Sequence, residues 1–323
     1  MITTSVCNLL GIQHPIFNAS MAGTATGQLA AAVSNAGGFG MIGGTNPNGA
    51  AWVREQIRIA RSLTDRPFRV GFISSFPDTA ALAEAALDEG VTAINHSFAD
   101  PTPFAASTHA AGTKLFVQVQ TRAQAIRAAT AGADVIIAQG SDAGGHAGAI
   151  GTFALLPAIV DAVAPVPVVA AGGIADGRGL AAALMLGAQG AWMGTRFVAS
   201  TEWGGAAWEQ EMVVSAAADD TIQTRVYDLI SQRPFPPENP DRMIRNPFIE
   251  RWTGREAEIP AHREALLAEL EAADATADPA VIGVSAGISS GLIRSTQPAA
   301  EIVRAVVSEA EDVLRTIPSI WKG

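Results

Sequence analysis

The chain has 323 residues, of which 48% are hydrophobic and 16% charged, with 32 glycines and a formal net charge of −10. This composition is typical of a compact α/β protein and excludes a disordered or fibrous chain, while the negative charge argues against nucleic acid or an anionic membrane as partner. Cys7 is the single cysteine, so an internal disulfide and an all-cysteine zinc site are excluded, and no metal site is predicted. No segment has the pattern of a targeting peptide or a membrane span, so we expect a soluble, cytoplasmic protein.

Short apolar segments alternate with Ala-rich segments of helical spacing over the first 200 residues. The eight predicted strands are PIFNAS (15–20), FGMIGG (39–44), FRVGFIS (68–74), TAINHS (92–97), KLFVQV (114–119), DVIIAQ (134–139), VPVVAAG (166–172) and GAWMGTRF (190–197). Continuously apolar strands between helices are parallel and buried on both faces. Eight such units predict a closed (β/α)8 TIM barrel, with an open doubly wound sheet as the alternative.

The alternation stops after Ser200. Residues 200–278 are richer in charge, and the prolines of SQRPFPPENPDRMIRNPF (231–248) forbid a long helix there. We interpret residues 200–278 as a helical and loop insertion, a lid or substrate domain, between the eighth strand and a final helix. The barrel domain is then formed by residues 1–199 and 279–323.

Glycines follow the seventh predicted strand and occur within the eighth, where barrel enzymes often bind a phosphate. Gly172 and Gly173 would let backbone amides approach a phosphate, and the helix that begins near Asp176 would add the positive end of its dipole. Gly194 and Thr195 offer an amide and a hydroxyl. The two loops together predict that backbone dipoles hold an anionic cofactor; tight turns alone are the alternative.

The segment QGSDAGGHAG (139–148) places His146 after the sixth strand, on the rim where barrel active sites lie. Gly144 and Gly145 allow this loop to approach a flat ligand closely. A histidine there acts as an acid or base near neutral pH, or simply hydrogen-bonds the loop, and the residues leave both roles open. Among the other histidines, His96 ends the fourth strand and could also face the site.

Other catalytic motifs lack the context that they need. GFGMIG (38–43) leads into a strand instead of opening a helix, so it is not a dinucleotide motif. GVSAG (283–287) resembles a hydrolase nucleophile turn, but the last histidine, His262, precedes it. Lys114 and Lys322, the only lysines, begin the fifth strand and lie in the C-terminal tail, which argues against a Schiff-base isomerase or aldolase. A binding module without a cofactor is the non-enzymatic alternative.

Four segments in this order, PIFNASMAG, QGSDAGGHAG, VVAAGGIADGRG and GAQGAWMGTRF, resemble the nitronate monooxygenase family, formerly called 2-nitropropane dioxygenases. The resemblance covers the barrel and the final helix. It implies an FMN-dependent enzyme that oxidises alkyl nitronates with O2 to carbonyl compounds and nitrite, and His146 matches the family's active-site histidine. The residues that it places at the flavin are Ala19, Ser20, Met21, Gln118, Gln139, Gly144 and Gly145, with Gly172, Gly173, Gly194 and Thr195 at its phosphate.

The resemblance leaves the electron donor open. The same scaffold includes NAD(P)H-dependent flavin reductases of the enoyl-ACP reductase or quinone reductase type, so NAD(P)H is an alternative partner to a nitronate or nitroalkane with O2. Trp203, Trp208 and Trp252 in the insertion would cover either the flavin or the partner subunit of a homodimer.

Overall fold

The protein is described here by a computed structural model that covers residues 2–320, with side chains to residue 316. Its strands are β1 (Ile16–Asn18), β2 (Gly40–Gly43), β3 (Phe68–Ile73), β4 (Ala93–Ser97), β5 (Lys114–Val119), β6 (Val135–Gln139), β7 (Gly145–His146), β8 (Val168–Ala171), β9 (Ala191–Met193), β10 (Thr221–Thr224) and β11 (Asp241–Ile244). Its helices are α1 (Ser5–Leu10), α2 (Gly27–Asn35), α3 (Gly49–Leu63), α4 (Thr79–Asp88), α5 (Thr102–Ala110), α6 (Arg122–Thr130), α7 (Thr152–Val163), α8 (Gly177–Met185), α9 (Thr195–Val198), α10 (Ala207–Ser215), α11 (Val226–Ser231), α12 (Pro247–Trp252), α13 (Ile259–Thr276) and α14 (Ala299–Ile320). Lys322 and the outermost residues of the predicted barrel domain lie outside the described residues.

Eight parallel strands form the wall of a nearly closed barrel, in the order β1, β9, β8, β6, β5, β4, β3, β2. A parallel bridge between Phe17 and Phe39 joins the first strand of this order to the last. A helix follows each of the first seven barrel strands, and α14 completes the eighth unit. The predicted (β/α)8 barrel is confirmed, and each of its eight predicted strands contains one barrel strand.

The two ends of α6 show how the local sequence starts and stops a helix. At the start of α6, the Thr121 hydroxyl accepts a hydrogen bond from the backbone of Gln124, whose side chain accepts one from the backbone of Thr121. This reciprocal cap satisfies two amides that the first turn would otherwise leave unpaired. Just past the end of the same helix, Gly132 has φ +92°, a conformation that glycine adopts without steric cost.

Two strands between β9 and α14 pair with β7 in a second, antiparallel sheet, in the order β10, β11, β7. Strand β7 belongs to the loop after barrel strand β6, and its His146 is paired with Asp241 of β11. This pairing attaches the segment after the barrel to the rim of the barrel. That residues 200–278 form a separate domain stays a prediction.

Helix α14 returns to the barrel and packs closely on α8. A Cβ atom on Gly177 would lie 2.3 Å from the backbone nitrogen of Ala310, so only glycine allows this approach. The Glu309 carboxylate accepts a hydrogen bond from the backbone amide of Gly177 at 2.7 Å. The final helix therefore closes the barrel at its eighth unit.

A single arginine lies inside the barrel wall. Arg69 on β3 is fully buried, and its guanidinium carbon lies 4.2–5.0 Å from the ring centroids of Phe17, Phe39, Phe116 and Trp192. Its two terminal nitrogens have no hydrogen-bond partner. The aromatic faces attract the cation and fill the space around it, which offsets part of its desolvation.

Replacing Arg69 with alanine should lower the free energy of unfolding by about 3 kcal/mol, because the four rings would surround a void. Arg69→Met fills the same space without a charge and should stay within about 1.5 kcal/mol of the original protein. Urea unfolding of both variants measures the difference. Equal stability of the alanine and methionine variants would contradict a packing role.

Candidate active site at the barrel mouth

The carboxyl ends of the barrel strands open into a mouth lined by partly exposed residues. The loop after β1 is held against this mouth by glycines on its neighbours. A Cβ on Gly43 would lie 2.1 Å from the Met21 carbonyl oxygen, and one on Gly71 would lie 2.4 Å from Ser20 Oγ. Ala19 is attached to the other side, since its amide donates to the Met193 carbonyl at 2.9 Å. The structure therefore brings Ala19, Ser20 and Met21 together at one edge of the mouth.

Three glutamine side chains form a network on the opposite side of the mouth. Gln139 Oε1 accepts hydrogen bonds from Gln118 Nε2 at 2.9 Å and from Gln120 Nε2 at 2.8 Å. Gln118 and Gln120 also line a cavity of about 170 Å³ together with Phe98. The sequence prediction included Gln118 and Gln139 but missed Gln120. Gln120 is the first residue after β5 and, two positions beyond Gln118, points to the same side of the sheet.

Gly144 and Gly145 in the loop after β6 are required for different structural reasons. A Cβ on Gly144 would lie 2.5 Å from the Gly287 amide nitrogen, so the loop touches the backbone of the segment that precedes α14. Gly145 has φ +77° and no atom within 4 Å of its Cβ position, so glycine is favoured there by the left-handed backbone conformation and not by lack of space. The loop is thus shaped by two glycines before it reaches His146.

Two glycine-containing loops lie where the sequence predicts a phosphate site. Gly172 and Gly173 both have positive φ, +98° and +76°. Helix α9 starts at Thr195 with Gly194 as its cap residue, and no side chain caps it. Thr195 Oγ1 accepts from the Gly287 amide at 2.9 Å. These four residues flank the ends of β8 and β9.

The first amides of α8 already have carboxylate partners. Its Gly179 amide donates to the Asp176 carboxylate at 3.0 Å, and its Gly177 amide donates to Glu309 at 2.7 Å. Two carboxylates therefore already neutralise the positive end of this helix dipole. One of these carboxylates, Glu309, comes from α14, far along the chain, so the sequence did not show this contact, and a contribution of α8 to phosphate binding stays a prediction.

His146 is buried, with 7% of its surface exposed, and lies between two carboxylates. Its Nε2 lies 2.8 Å from Asp228 Oδ2, and its Nδ1 lies 3.8 Å from Asp241 Oδ2. The imidazole stacks on Phe235 with a centroid distance of 3.3 Å and an interplanar angle of 7°. Phe98, which lines the cavity with the glutamines, meets the ring edge-on at 6.2 Å.

The buried Asp241 carboxylate lies between His146 and the exposed residue Ser285. Burial raises the pKa of the Asp241 carboxyl above its ordinary value, against the opposing effects of His146 and Ser285. The exposed hydroxyl of Ser285 donates to this carboxylate at 3.0 Å. Ser285 belongs to the GVSAG segment, and its partner is a carboxylate, so the structure agrees with the rejection of a serine nucleophile there.

The partners of His146 could not be found from the sequence. Asp228 lies 82 residues further along the chain, in α11. Phe235 and Asp241 belong to the proline-rich segment 231–248, whose prolines indicated only that no long helix forms there. No spacing relates these residues to His146, because strand pairing between β7 and β11 brings them together.

His96 faces away from the mouth. Its ring stacks on Phe104 of α5 with a centroid distance of 4.1 Å, and its Nδ1 is hydrogen-bonded to Ser74 Oγ at 2.7 Å. Burial lowers the pKa of His96 from 6.5 to about 3, so the imidazole is neutral. The suggestion that His96 could face the site is therefore wrong. Alternation along β4 explains this, since His96 shares a strand face with Ile94, which packs on the surrounding helices.

Acid should destabilise the protein partly through His96. Its folded pKa lies below the unfolded value of 6.5, so the unfolded chain binds a proton first as the pH falls and stability decreases. Between pH 7 and pH 4 this group should cost the folded state about 3 kcal/mol. Urea unfolding at both pH values should therefore show a smaller pH dependence for His96→Phe. The same pH dependence in both proteins would contradict this origin.

Inside the barrel, Asn95 offers unpaired polar atoms to a polar ligand. Asn95 on β4 is fully buried, and neither side-chain polar atom has a partner. It shares a strand face with Ala93, which packs with the aromatic residues inside the barrel. A separate cavity of about 560 Å³ lies beside Gly172 and Gly173, and the rest of its lining comes mainly from α7, α8 and the segment before α14. The buried amide and the glycine amides fit a flavin with a phosphate tail.

No helix in the described part of the chain is long and apolar enough to cross a membrane.

Comparison with known proteins relates this site to a family. The model of the nitronate monooxygenase family matches residues 3–309. A curated relative, (3aS,4S,5R,7aS)-5-hydroxy-7a-methyl-1-oxo-octahydro-1H-indene-4-carboxyl-CoA dehydrogenase of Mycobacterium tuberculosis, is 32% identical over 77% of this chain and 68% of its own. The structure of FabK from Thermotoga maritima matches with TM-score 0.90 and 35% identity over 99% of this chain and all of its own. Nitroalkane oxidase from Streptomyces ansochromogenes matches with TM-score 0.84 and 28% identity over 97% and 99%.

Proposed function

The chain belongs to the nitronate monooxygenase family, a family of flavin oxidoreductases, and from this premise we propose that it uses FMN to oxidise alkyl nitronates with O2 to carbonyl compounds and nitrite. The observation that carries the proposal is the buried His146, which is held by Asp228 beside the mouth. A nitroalkane must lose its α-proton before it can be oxidised as a nitronate. Imidazole is the side chain suited to that proton transfer near neutral pH.

The residues of the mouth would hold the FMN in two parts. Gly172, Gly173, Gly194 and Thr195 would bind the phosphate through backbone amides, without the help of a lysine. Ala19, Ser20 and Met21 on one side, and Gln118 and Gln139 with the Gly144–Gly145 loop on the other, would contact the ring. When bound, FMN supplies the one-electron chemistry that lets O2 react with the nitronate carbon.

The protein's own side chains orient the substrate and move its proton. A neutral His146 would remove the α-proton of a neutral nitroalkane, and the electron pair of that C–H bond would stay on the nitronate. A protonated His146 would instead bind the nitro oxygens of a substrate that arrives as a nitronate. The aromatic rings of Phe98 and Phe235 beside the imidazole would exclude water from this transfer.

A second candidate function is an NAD(P)H-dependent flavin reductase of the enoyl-ACP or quinone reductase type. The match to FabK, a related reductase, over nearly the whole chain favours it. The two functions share the flavin and differ in the electron donor. The monooxygenase would use a nitronate or nitroalkane with O2. The reductase would use NAD(P)H as its electron donor. The cytoplasmic location and the homodimer stay predictions.

Visible spectra under anaerobic conditions separate the two candidates. Purified protein reconstituted with FMN is mixed with propyl nitronate in one cuvette and with NADH or NADPH in another. Bleaching of the flavin by the nitronate alone supports the monooxygenase. Bleaching by the nicotinamide alone would replace it with the reductase, and the substrate would then be sought among enoyl thioesters and quinones.

A further inference from the structure

The side chain of Asp228 has one hydrogen-bond partner in the described part of the chain, and this partner is His146. Asp228 is 5% exposed, its Oδ2 lies 2.8 Å from His146 Nε2, and its Oδ1 has no partner. An ionised carboxylate can only accept a hydrogen bond, so His146 Nε2 carries the proton between them. A buried carboxylate that bonds nothing else is costly, so its benefit must come through the histidine.

The imidazole has little freedom to turn. Phe235 covers one face at 3.3 Å, and Phe98 meets the ring edge-on. The backbone of His146 is paired with Asp241 in the second sheet. A 180° flip of the ring would put Cε1 in the place of Nε2 and break the bond to Asp228. The two nitrogens therefore have distinct and permanent environments.

We propose that Asp228 is a positioning residue that keeps the proton of His146 on Nε2 and leaves Nδ1 as the nitrogen that takes the substrate's α-proton. This inference rests on the proposed function. In the transfer, the α C–H bond breaks, an Nδ1–H bond forms, and the electron pair remains on the nitronate. The resulting imidazolium lies between the carboxylates of Asp228 and Asp241, and their negative charge stabilises it.

Asp228 could instead only anchor α11 to the loop after β6. Both roles predict that its loss weakens the protein, but only the positioning role predicts a change of tautomer. Asp228→Asn keeps the shape of the side chain and replaces an acceptor with an amide that can donate to Nε2. The proton of His146 should then move to Nδ1, which can no longer accept a proton from the substrate.

The test combines two measurements on the FMN-loaded protein. Nitrogen-15 NMR of labelled histidine, with His146→Gln to assign the signals, should show Nε2–H in the original protein and Nδ1–H in Asp228→Asn. The variant's kcat for a neutral nitroalkane should fall at least about 100-fold, and its kcat for the preformed nitronate should change less than about threefold. Asp219→Asn, an exposed aspartate in the same segment, is the matched control and should match the original protein in both measurements.

Asp228→Glu keeps a carboxylate and provides a second test in case Asp228→Asn does not fold. It should retain the Nε2–H signal and recover part of the nitroalkane turnover. The proposal is overturned if the original protein carries the proton on Nδ1 or on both nitrogens, or if Asp228→Asn loses both substrates equally. If nitronate does not bleach the flavin at all, the proposed function fails, while the NMR signals still decide the role of Asp228.

Discussion

Replacing His146 with glutamine should lower kcat for neutral nitroalkanes about a thousandfold, because its imidazole is the group proposed to remove the α-proton. The effect on preformed nitronates should be much smaller, since these substrates arrive without that proton. Glutamine is preferred to alanine because its amide can donate to the buried Asp228, which alanine would leave unpaired.

Steady-state kinetics with a nitroalkane and with its nitronate measure the two effects separately. The FMN spectrum of the variant should be unchanged, because His146 is not among the residues expected to hold the flavin. His109→Gln is the matched control and should retain full activity, because His109 is a half-exposed residue of α5 that pairs with Asp134. Equal losses on both substrates would remove the proton-transfer role from His146.

Introducing a carboxylate at the phosphate loop should abolish tight FMN binding. Gly194 has an ordinary φ of −93°, and a Cβ there would meet only Ala19 Cβ at 3.4 Å, so the fold accepts a side chain at this position. Gly194→Asp would place a negative charge where the FMN phosphate is expected. Two like charges brought together in a binding site cost several kcal/mol, so the Kd for FMN should rise at least about 100-fold.

Flavin fluorescence titration measures the Kd, and urea unfolding without FMN shows whether the fold is intact. Gly194→Ala is the control: it adds one methyl group in ordinary contact and no charge, so its Kd should stay within about fivefold of the original. Unchanged FMN affinity in Gly194→Asp would move the phosphate away from the β8 and β9 loops.

The sequence predicted the barrel and the position of its mouth because both depend on short-range patterns. Apolar segments that alternate with Ala-rich helices require parallel strands covered on both faces. Gly172 and Gly173, both with positive φ, follow from the need for a tight turn at the end of β8. The four family segments cover these same loops, so fold, flavin and mouth could be inferred before any contact was known.

The direction of individual side chains was harder to predict. Arg69 lies inside the barrel among four aromatic rings, and His96 points outward between helices. Because side chains alternate along a strand, one residue known to point inward on β3 or β4 fixes the direction of all the others on that strand. A continuously apolar strand does not show which of its two faces is inward, so the sequence left the orientation of His96 open.

By itself, the sequence determined a (β/α)8 barrel, a loop that carries His146 to its rim, and two glycine loops suited to a phosphate, because hydrophobic period and turn chemistry are local properties. The tertiary structure alone decided what surrounds those groups. Asp228 reaches His146 across 82 residues, and Glu309 reaches the start of α8 across 132. Such contacts follow from the pairing of β7 with β11 and from the packing of α14 on α8, and no spacing along the chain specifies either.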